Sequence, residues 1–368
     1  MKSASELFQE HTARIKSAIA LEKTDRTPIL LTGDSFCARH MGVKLSDFCK
    51  SVKLSHETML SSVKAMGDVD AVGSTFVAAN ALPIGYFSKV KLPGRELPED
   101  AMWQIDEQEI MTVEDYDTIL KNGWTSFRDD YLTNRLNVSL PSVFAELADM
   151  PQMNKNFEDA GYVVYCGAIS STVNEFLGMG RSFPRFMRDL YKIPDKVEAV
   201  LDIIQQETVE AIRQQIRAAK PIAALLSPAR GASTFFSPKL WERFVWKYLK
   251  GLADAIIEEG AVANIHLDGN WERDLEYFKD FPKGTAIFQA DGATDIYKVK
   301  EVLGDRMCIL GDVPAALLAL ATPDQVYNYS AKLIKDIGPG LILSSGCSIP
   351  ANAKVENVKA MVAAANGK

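Results

Sequence analysis

The sequence predicts an α/β protein built as a (β/α)8 TIM barrel, with a helix ahead of the barrel and an inserted hairpin or lid. Eight short apolar runs recur along the 368 residues. In the second half they alternate with amphipathic helical stretches. The runs are near-continuously apolar, as parallel strands covered on both faces are. Eight βα repeats in this length fit a closed barrel. A doubly wound open sheet is the rival, but no glycine-rich phosphate turn follows the first run.

The opening stretch, "MKSASELFQEHTARIKSAIALEKTDRTP", reads as an amphipathic helix rather than a signal peptide, because charges interrupt it throughout. The predicted strands are "TPILLTGD" (27–34), "DVDAVGSTF" (68–76), "VVYCGAIS" (163–170), "PIAALLSPA" (221–229), "AVANIHLD" (261–268), "GTAIFQAD" (284–291), "RMCILGD" (306–312) and "GLILSSGC" (340–347). Residues 183–219 form a long helical region, and "DIYKVKEVLG" and "PDQVYNYSAKLIKDIG" are further helices. An acidic helix is expected after the fifth strand. Residues from about 83 to 160 break the βα pattern: a hairpin or lid comes first, then extra helices. With no low-complexity tract or flexible linker, residues 1–368 read as one domain carrying that insertion.

Composition is that of a soluble protein, 47% hydrophobic and 24% charged. A formal charge of −7 argues against nucleic acid or an anionic membrane as the main partner. No apolar run approaches the roughly 18 residues of a membrane span. The five cysteines are odd in number and widely spaced, so reduced thiols and a cytoplasmic location are expected rather than a disulfide framework.

In a barrel of this class the chemistry gathers where strands end. Those ends supply Asp34, Ser74 and Thr75, Ser170 and Ser171, Ser227 with Arg230, His266 and Asp268, Asp291, Asp312 and Cys347. His266 and Asp268, two apart on a strand, point the same way, and Cys347 can reach them across the mouth. Imidazole nitrogen, carboxylate oxygen and thiolate sulfur are common zinc donors, and three of them beside an open position form a catalytic zinc site. The plainer alternatives are a hydrogen-bonded His-x-Asp pair and a small core cysteine. Glu175 is either a fourth ligand, a substrate contact or a first-turn helix glutamate favoured by the macrodipole. Asp291 and Asp312 either orient His266 or touch substrate, Asp312 being equally readable as a helix cap. Asp34 and Arg230 are rim candidates for substrate.

"NIHLDGN", "DGATDIYKVKEVLGDRMCILGDVP", "LATPDQVYNYSAKLI" and "GLILSSGCSIPANAKVENVKAMV", in that order, resemble the uroporphyrinogen decarboxylase superfamily over roughly residues 160–365. The resemblance is greatest to its corrinoid-dependent methyltransferase branch. That branch binds zinc through a His-x-Cys on the fifth strand and a distant cysteine in a "GC-x-[IV]-P" turn. Carried over, the resemblance implies His266 and Cys347 as zinc ligands, with Asp268 standing where relatives have cysteine. It also implies a corrinoid carried by a partner protein, since the chain has no "DxHxxG" cobalamin loop of its own.

A harder oxygen ligand leaves the metal a stronger Lewis acid, which suits removal of a methyl group from oxygen. The expectation is a zinc-dependent methyltransferase of the O-demethylase kind. It would move a methyl group from a small methylated substrate, an aryl methyl ether first, to the cobalt(I) of a separate corrinoid protein. Tyr86, Phe87 and Trp103 of the lid would offer stacking surfaces. One alternative is a methylcorrinoid-protein:acceptor methyltransferase acting on a thiol or tetrahydrofolate. Another is a metal-free decarboxylase-type lyase, whose arginine-rich "MRQAGRY"-like stretch is replaced here by "TGDSFCARHMGVKLSDF". A third is a non-catalytic barrel. Oligomeric state is left open, a homodimer being one outcome.

Overall fold

The computed structural model describes residues 2–368. Eight parallel strands form a ring: β1 (Leu30–Leu31), β2 (Ala71–Val72), β3 (Val163–Val164 and Cys166–Ser171, joined through Tyr165), β4 (Ala223–Ser227), β5 (Val262–Leu267), β6 (Ala286–Ala290), β7 (Cys308–Val313) and β8 (Leu341–Ser345). Each pairs with the next in chain order. Tyr165 carries the ladder across the break in β3, donating to the Val72 carbonyl and accepting from Ala223 N, both at 3.3 Å. The ring closes through a single bridge between Ile29 and Leu343. The first two ladders are shorter than the apolar runs suggested. Pro28 offers no N–H to extend β1, and Asp34 already opens a helix, Asp34–His40.

One end of the barrel is sealed. Leu30, Ala71, Val163, Tyr165, Ala223, Ile287, Cys308, Leu310 and Ile342 pack there against Ile15, Ala18 and Ile19 of the first helix, Ala4–Ile19. That helix starts on a capping box in which Ser3 and Glu6 satisfy each other's backbone. Inward-facing residues recur every second position along a strand. From the sealed end they climb as Val262, Asn264, His266 and Asp268 on β5 and beyond it. The matching series are Ile287 and Gln289 from β6 with Asp291 just beyond it, Leu310 from β7, and Ile342 and Ser344 from β8. The apolar floor thus gives way to polar groups toward the open end.

Helices Val52–Lys64, Pro194–Ala219, Lys247–Glu258, Ile296–Leu303, Pro323–Ile337 and Val355–Ala365 surround the barrel. Residues 183–219 form two helices, Phe183–Lys192 and Pro194–Ala219, because Pro194 cannot continue the hydrogen-bond ladder. The helix expected after β5 is a 3-10 helix, Glu272–Asp280, which aligns the buried Leu275 and Phe278 three residues apart. Between β2 and β3 lie an antiparallel hairpin, Lys89–Lys91 with Gln104–Asp106, and helices that include Leu140–Leu147 and Met150–Glu158. Phe87 is not a lid surface. It is buried, stacked on Tyr131 at 4.3 Å and against Trp124 at 5.1 Å. No helix among the described residues is long and apolar enough to cross a membrane.

Candidate metal centre

At the open ends of β5 and β8 one ligand atom each of His266, Asp268 and Cys347 lies within 4.8 Å of the other two. His266 Nε2 is 3.3 Å from Asp268 Oδ1, and the imidazole is only 12% exposed. Cys347 is exposed. Groups outside the cluster hold the backbone on either side of it. The Asp268 carbonyl accepts from Nε1 of the fully buried Trp271 at 2.8 Å. Gly269, at φ +82°, turns the chain and donates its N–H to Asp291 Oδ2 at 2.8 Å. Just past β8, Gly346 lies so close to the Asp291 carbonyl that a Cβ would come within 2.4 Å of it. Only glycine can precede Cys347 there.

Burial alone would lower the His266 pKa, but hydrogen bonds and charge from Asp268 and Cys347 outweigh it and raise the value to about 10. An imidazole, a carboxylate and a thiol aimed at one point make a site suited to a cation. Nitrogen, oxygen and sulfur donors, three in number and open on one side, fit zinc. His266 Nδ1 is buried and has no hydrogen-bond partner among the described residues.

Neither Asp291 nor Asp312 therefore bonds the ring. Asp291 accepts from Gly269 N and, at 2.8 Å, from Ala293 N; Asp312 accepts from Tyr329 Oη at 3.0 Å. Nor is Asp312 a helix cap, since it lies within β7 and Pro314 takes the cap. Glu175, in the first turn of helix Val173–Gly180, lies outside the three-residue group. Its Oε1 accepts from Arg230 N at 2.7 Å and Asn174 Nδ2 at 3.3 Å. Burial pushes its carboxyl up to about 7, against the pull of Arg230 and with a further push from Asp268. The Arg230 side chain turns to Glu107, at 2.9 Å, and over the Phe183 ring. Asp34 accepts from Ser74 and from Ser348. Burial, then the charges of Asp34 and Cys347, raise the Tyr86 phenol pKa; a hydrogen bond with Trp103 opposes this and Asp268 adds to it. Tyr86 and Trp103 thus border the cluster.

Asn264 and Gln289, absent from the sequence-based candidates, form a buried 2.8 Å pair directly beneath His266. The signal for Asn264 was a lone amide two residues before His266 in an otherwise apolar run.

Burial pushes the Asp312 carboxyl up from 3.8 to about 6, against its hydrogen bond from Tyr329. Between those values the unfolded chain ionises Asp312 and the folded chain does not. The contribution of Asp312 to stability is therefore fully present below pH 3.8 and is lost as pH rises through about 6. Asp312→Asn is expected to gain up to about 3 kcal/mol over the parent in urea unfolding at pH 7, and little near pH 3.5. An equal offset at both pH values would contradict the assignment.

Residues 159–367 match the family model described as uroporphyrinogen decarboxylase (URO-D), a stretch that runs from β3 to the last helix and holds all three clustered residues. The chain is 26% identical over 183 residues to a uroporphyrinogen decarboxylase of Coxiella burnetii, covering 48% of each. It is 25% identical over 184 residues to a methylcobamide:CoM methyltransferase of Methanosarcina barkeri, covering 50% of this chain and 52% of that one. It spans about half the length of the curated relatives it matches. Among solved structures, a methyltransferase from Methanosarcina mazei superposes with a TM-score of 0.73 at 17% identity, covering 97% of this chain and 98% of that one. At that identity the likeness concerns the fold. With the family model spanning more than half of its length and every strand from β3 onward, the chain belongs to the uroporphyrinogen decarboxylase family.

Proposed function

We propose that the protein is a zinc-dependent methyltransferase that moves a methyl group from a small methylated substrate, an aryl methyl ether in the first instance, to the cobalt(I) of a separate corrinoid protein. The observation that carries this reading is the convergence of His266, Asp268 and Cys347 within 4.8 Å at the open end of the barrel. The relation to a methylcobamide:CoM methyltransferase supports it. The charge of the mouth supports it over a decarboxylase reading: Asp34, Asp268, Asp291 and Asp312 line strand ends, and Arg230 is already paired with Glu107. A substrate bearing many carboxylates needs cations there.

Bound by these three residues, zinc supplies Lewis acidity toward the heteroatom that carries the methyl group. The rest is work of the chain. Trp271 and Asp291 hold the β5 loop so that His266 and Asp268 keep their aim. Tyr86 and Trp103 border the mouth and offer ring surfaces to an aromatic donor. The corrinoid partner docks on the same strand-end face.

Elemental analysis of the purified chain, alone and as His266→Ala, Asp268→Ala and Cys347→Ala, tests the reading. The expected result is about one zinc per chain, lost in all three variants. Methyl transfer from a methoxyarene to a reduced corrinoid protein, followed by absorbance, should fall at least about a thousandfold in His266→Ala. A wild-type chain that takes up no metal when supplied with zinc would sink it.

A further inference from the structure

We infer, building on the metal centre proposed above, that Asp34 is the positioning residue for Cys347 and not a contact for substrate. Cys347 leaves β8 at the seam where the barrel closes, and the seam is thinly held. β1 gives two residues of ladder to β2, and Ile29 alone bridges to β8. Beyond the bridge, Ile349 N donates to the Thr32 carbonyl at 2.8 Å. Asp34 supplies what the ladder lacks. Its Oδ2 accepts from Ser348 Oγ at 2.6 Å and its Oδ1 from Ser74 Oγ at 2.6 Å. One carboxylate therefore ties together the turns that follow β1, β2 and β8.

Both bonds are short, as hydroxyl-to-carboxylate hydrogen bonds are. The Asp34 backbone is at φ +31°, a region that non-glycine residues enter only where the surroundings over-determine it. Here the two serines and the start of helix Asp34–His40 are those surroundings. On the other side of Cys347, Gly346 is pressed against the Asp291 carbonyl and donates to Val313 O at 3.1 Å. Ser345 Oγ bonds the Cys347 carbonyl. The thiol is thus carried on a turn braced at the residues before and after it, and Asp34 is the outer brace. Each of its oxygens already accepts from a serine hydroxyl on a turn of the rim.

The test uses the full chain as wild type, Asp34→Ala, Asp34→Asn and Ser348→Ala. Three quantities are read: zinc affinity by chelator competition, the thiolate-to-metal absorption of the Co2+ form, and the iodoacetamide alkylation rate of Cys347 in metal-free protein, located by peptide mapping. Loss of a partner that orients a metal ligand typically costs about 10- to 100-fold in affinity. Asp34→Ala and Ser348→Ala should show that loss, a weakened cobalt–thiolate band and a Cys347 alkylation rate changed several-fold. Asp34→Asn, with an acceptor for one serine and a donor for the other, should recover most of it. Unchanged affinity and band in Asp34→Ala, with only a lower melting temperature, would make Asp34 merely structural. If that variant does not fold, Ser348→Ala alone decides. Should wild type bind no metal, the metal-centre reading fails, and the alkylation rate decides the brace: altered in Asp34→Ala it stands, unaltered it falls.

Discussion

Asp70→Ala is expected to destabilise the fold by about 3 kcal/mol, toward the low end of the range for breaking a buried ion pair. Asp70 is fully buried just ahead of β2. It accepts from Arg14 of the first helix, from Arg26 at 2.6 and 3.1 Å, and from Ile29 N at 2.9 Å. Its removal strands a buried backbone N–H and detaches the sealing helix from β1 and β2. The cost stops short of the maximum because both arginines keep a second carboxylate: Arg14 has Asp25 at 2.7 Å and Arg26 has Asp68 at 3.1 Å. Asp70→Asn, which retains an acceptor, should lose about half as much. Asp68→Ala removes a half-exposed partner and should cost under about 1 kcal/mol. Urea unfolding at neutral pH, with an unchanged m value, is the measurement. A loss below about 1 kcal/mol for Asp70→Ala would show that the network holds nothing. The proposed metal centre lies at the opposite end of the barrel, so folded Asp70→Ala should keep wild-type zinc affinity.

What could be read in advance follows the range over which each interaction acts. The eight strands were legible because a buried parallel strand needs a run of apolar residues, and that is a local property. His266 with Asp268 was legible because the pleat puts alternate residues on one face. Tyr165, which bridges two pieces of β3, was not, since its hydrogen bonds to Val72 and Ala223 depend on the register of two other strands. Register also decides that Asn264 meets Gln289. Asp312 was open between cap and strand because "GDVP" fits both; pairing of β7 with β8 extends the strand to Val313 and moves the cap to Pro314. Glu175 was rightly placed in a first helical turn, but its partner is a backbone N–H of the β4 loop. Phe87 looked like lid surface because its neighbours Tyr131, Trp124 and Phe176 lie far along the chain.

Asp268→Cys is expected to keep the metal and lose the chemistry. The substitution restores the His-x-Cys pattern that the resemblance implies for the corrinoid-dependent methyltransferase branch. The loop should tolerate it, because the position is fixed through its carbonyl by Trp271 and through Gly269 by Asp291, not through its side chain. Asp268 is also the more exposed member of its pair, 38% against 12% for His266, so the new thiol meets no packed wall. A cysteine is the shorter side chain, but zinc–sulfur contacts are longer than zinc–oxygen ones by about 0.2 Å, which offsets part of the difference. Zinc should therefore remain at about one per chain. A second thiolate donates more charge than a carboxylate and weakens Lewis acidity. Demethylation of an aryl methyl ether should fall at least about tenfold in kcat, or roughly 1.4 kcal/mol of barrier. Transfer from a methylcorrinoid protein to a small thiol should fall less or rise. The comparison is a ratio of two activities on one preparation, so partial loss of metal or of folded protein cancels. An unchanged ratio would mean that the oxygen donor does not set the direction of transfer, and the choice between methyl ether and thiol would then rest with the residues that border the mouth, Tyr86 and Trp103 first among them.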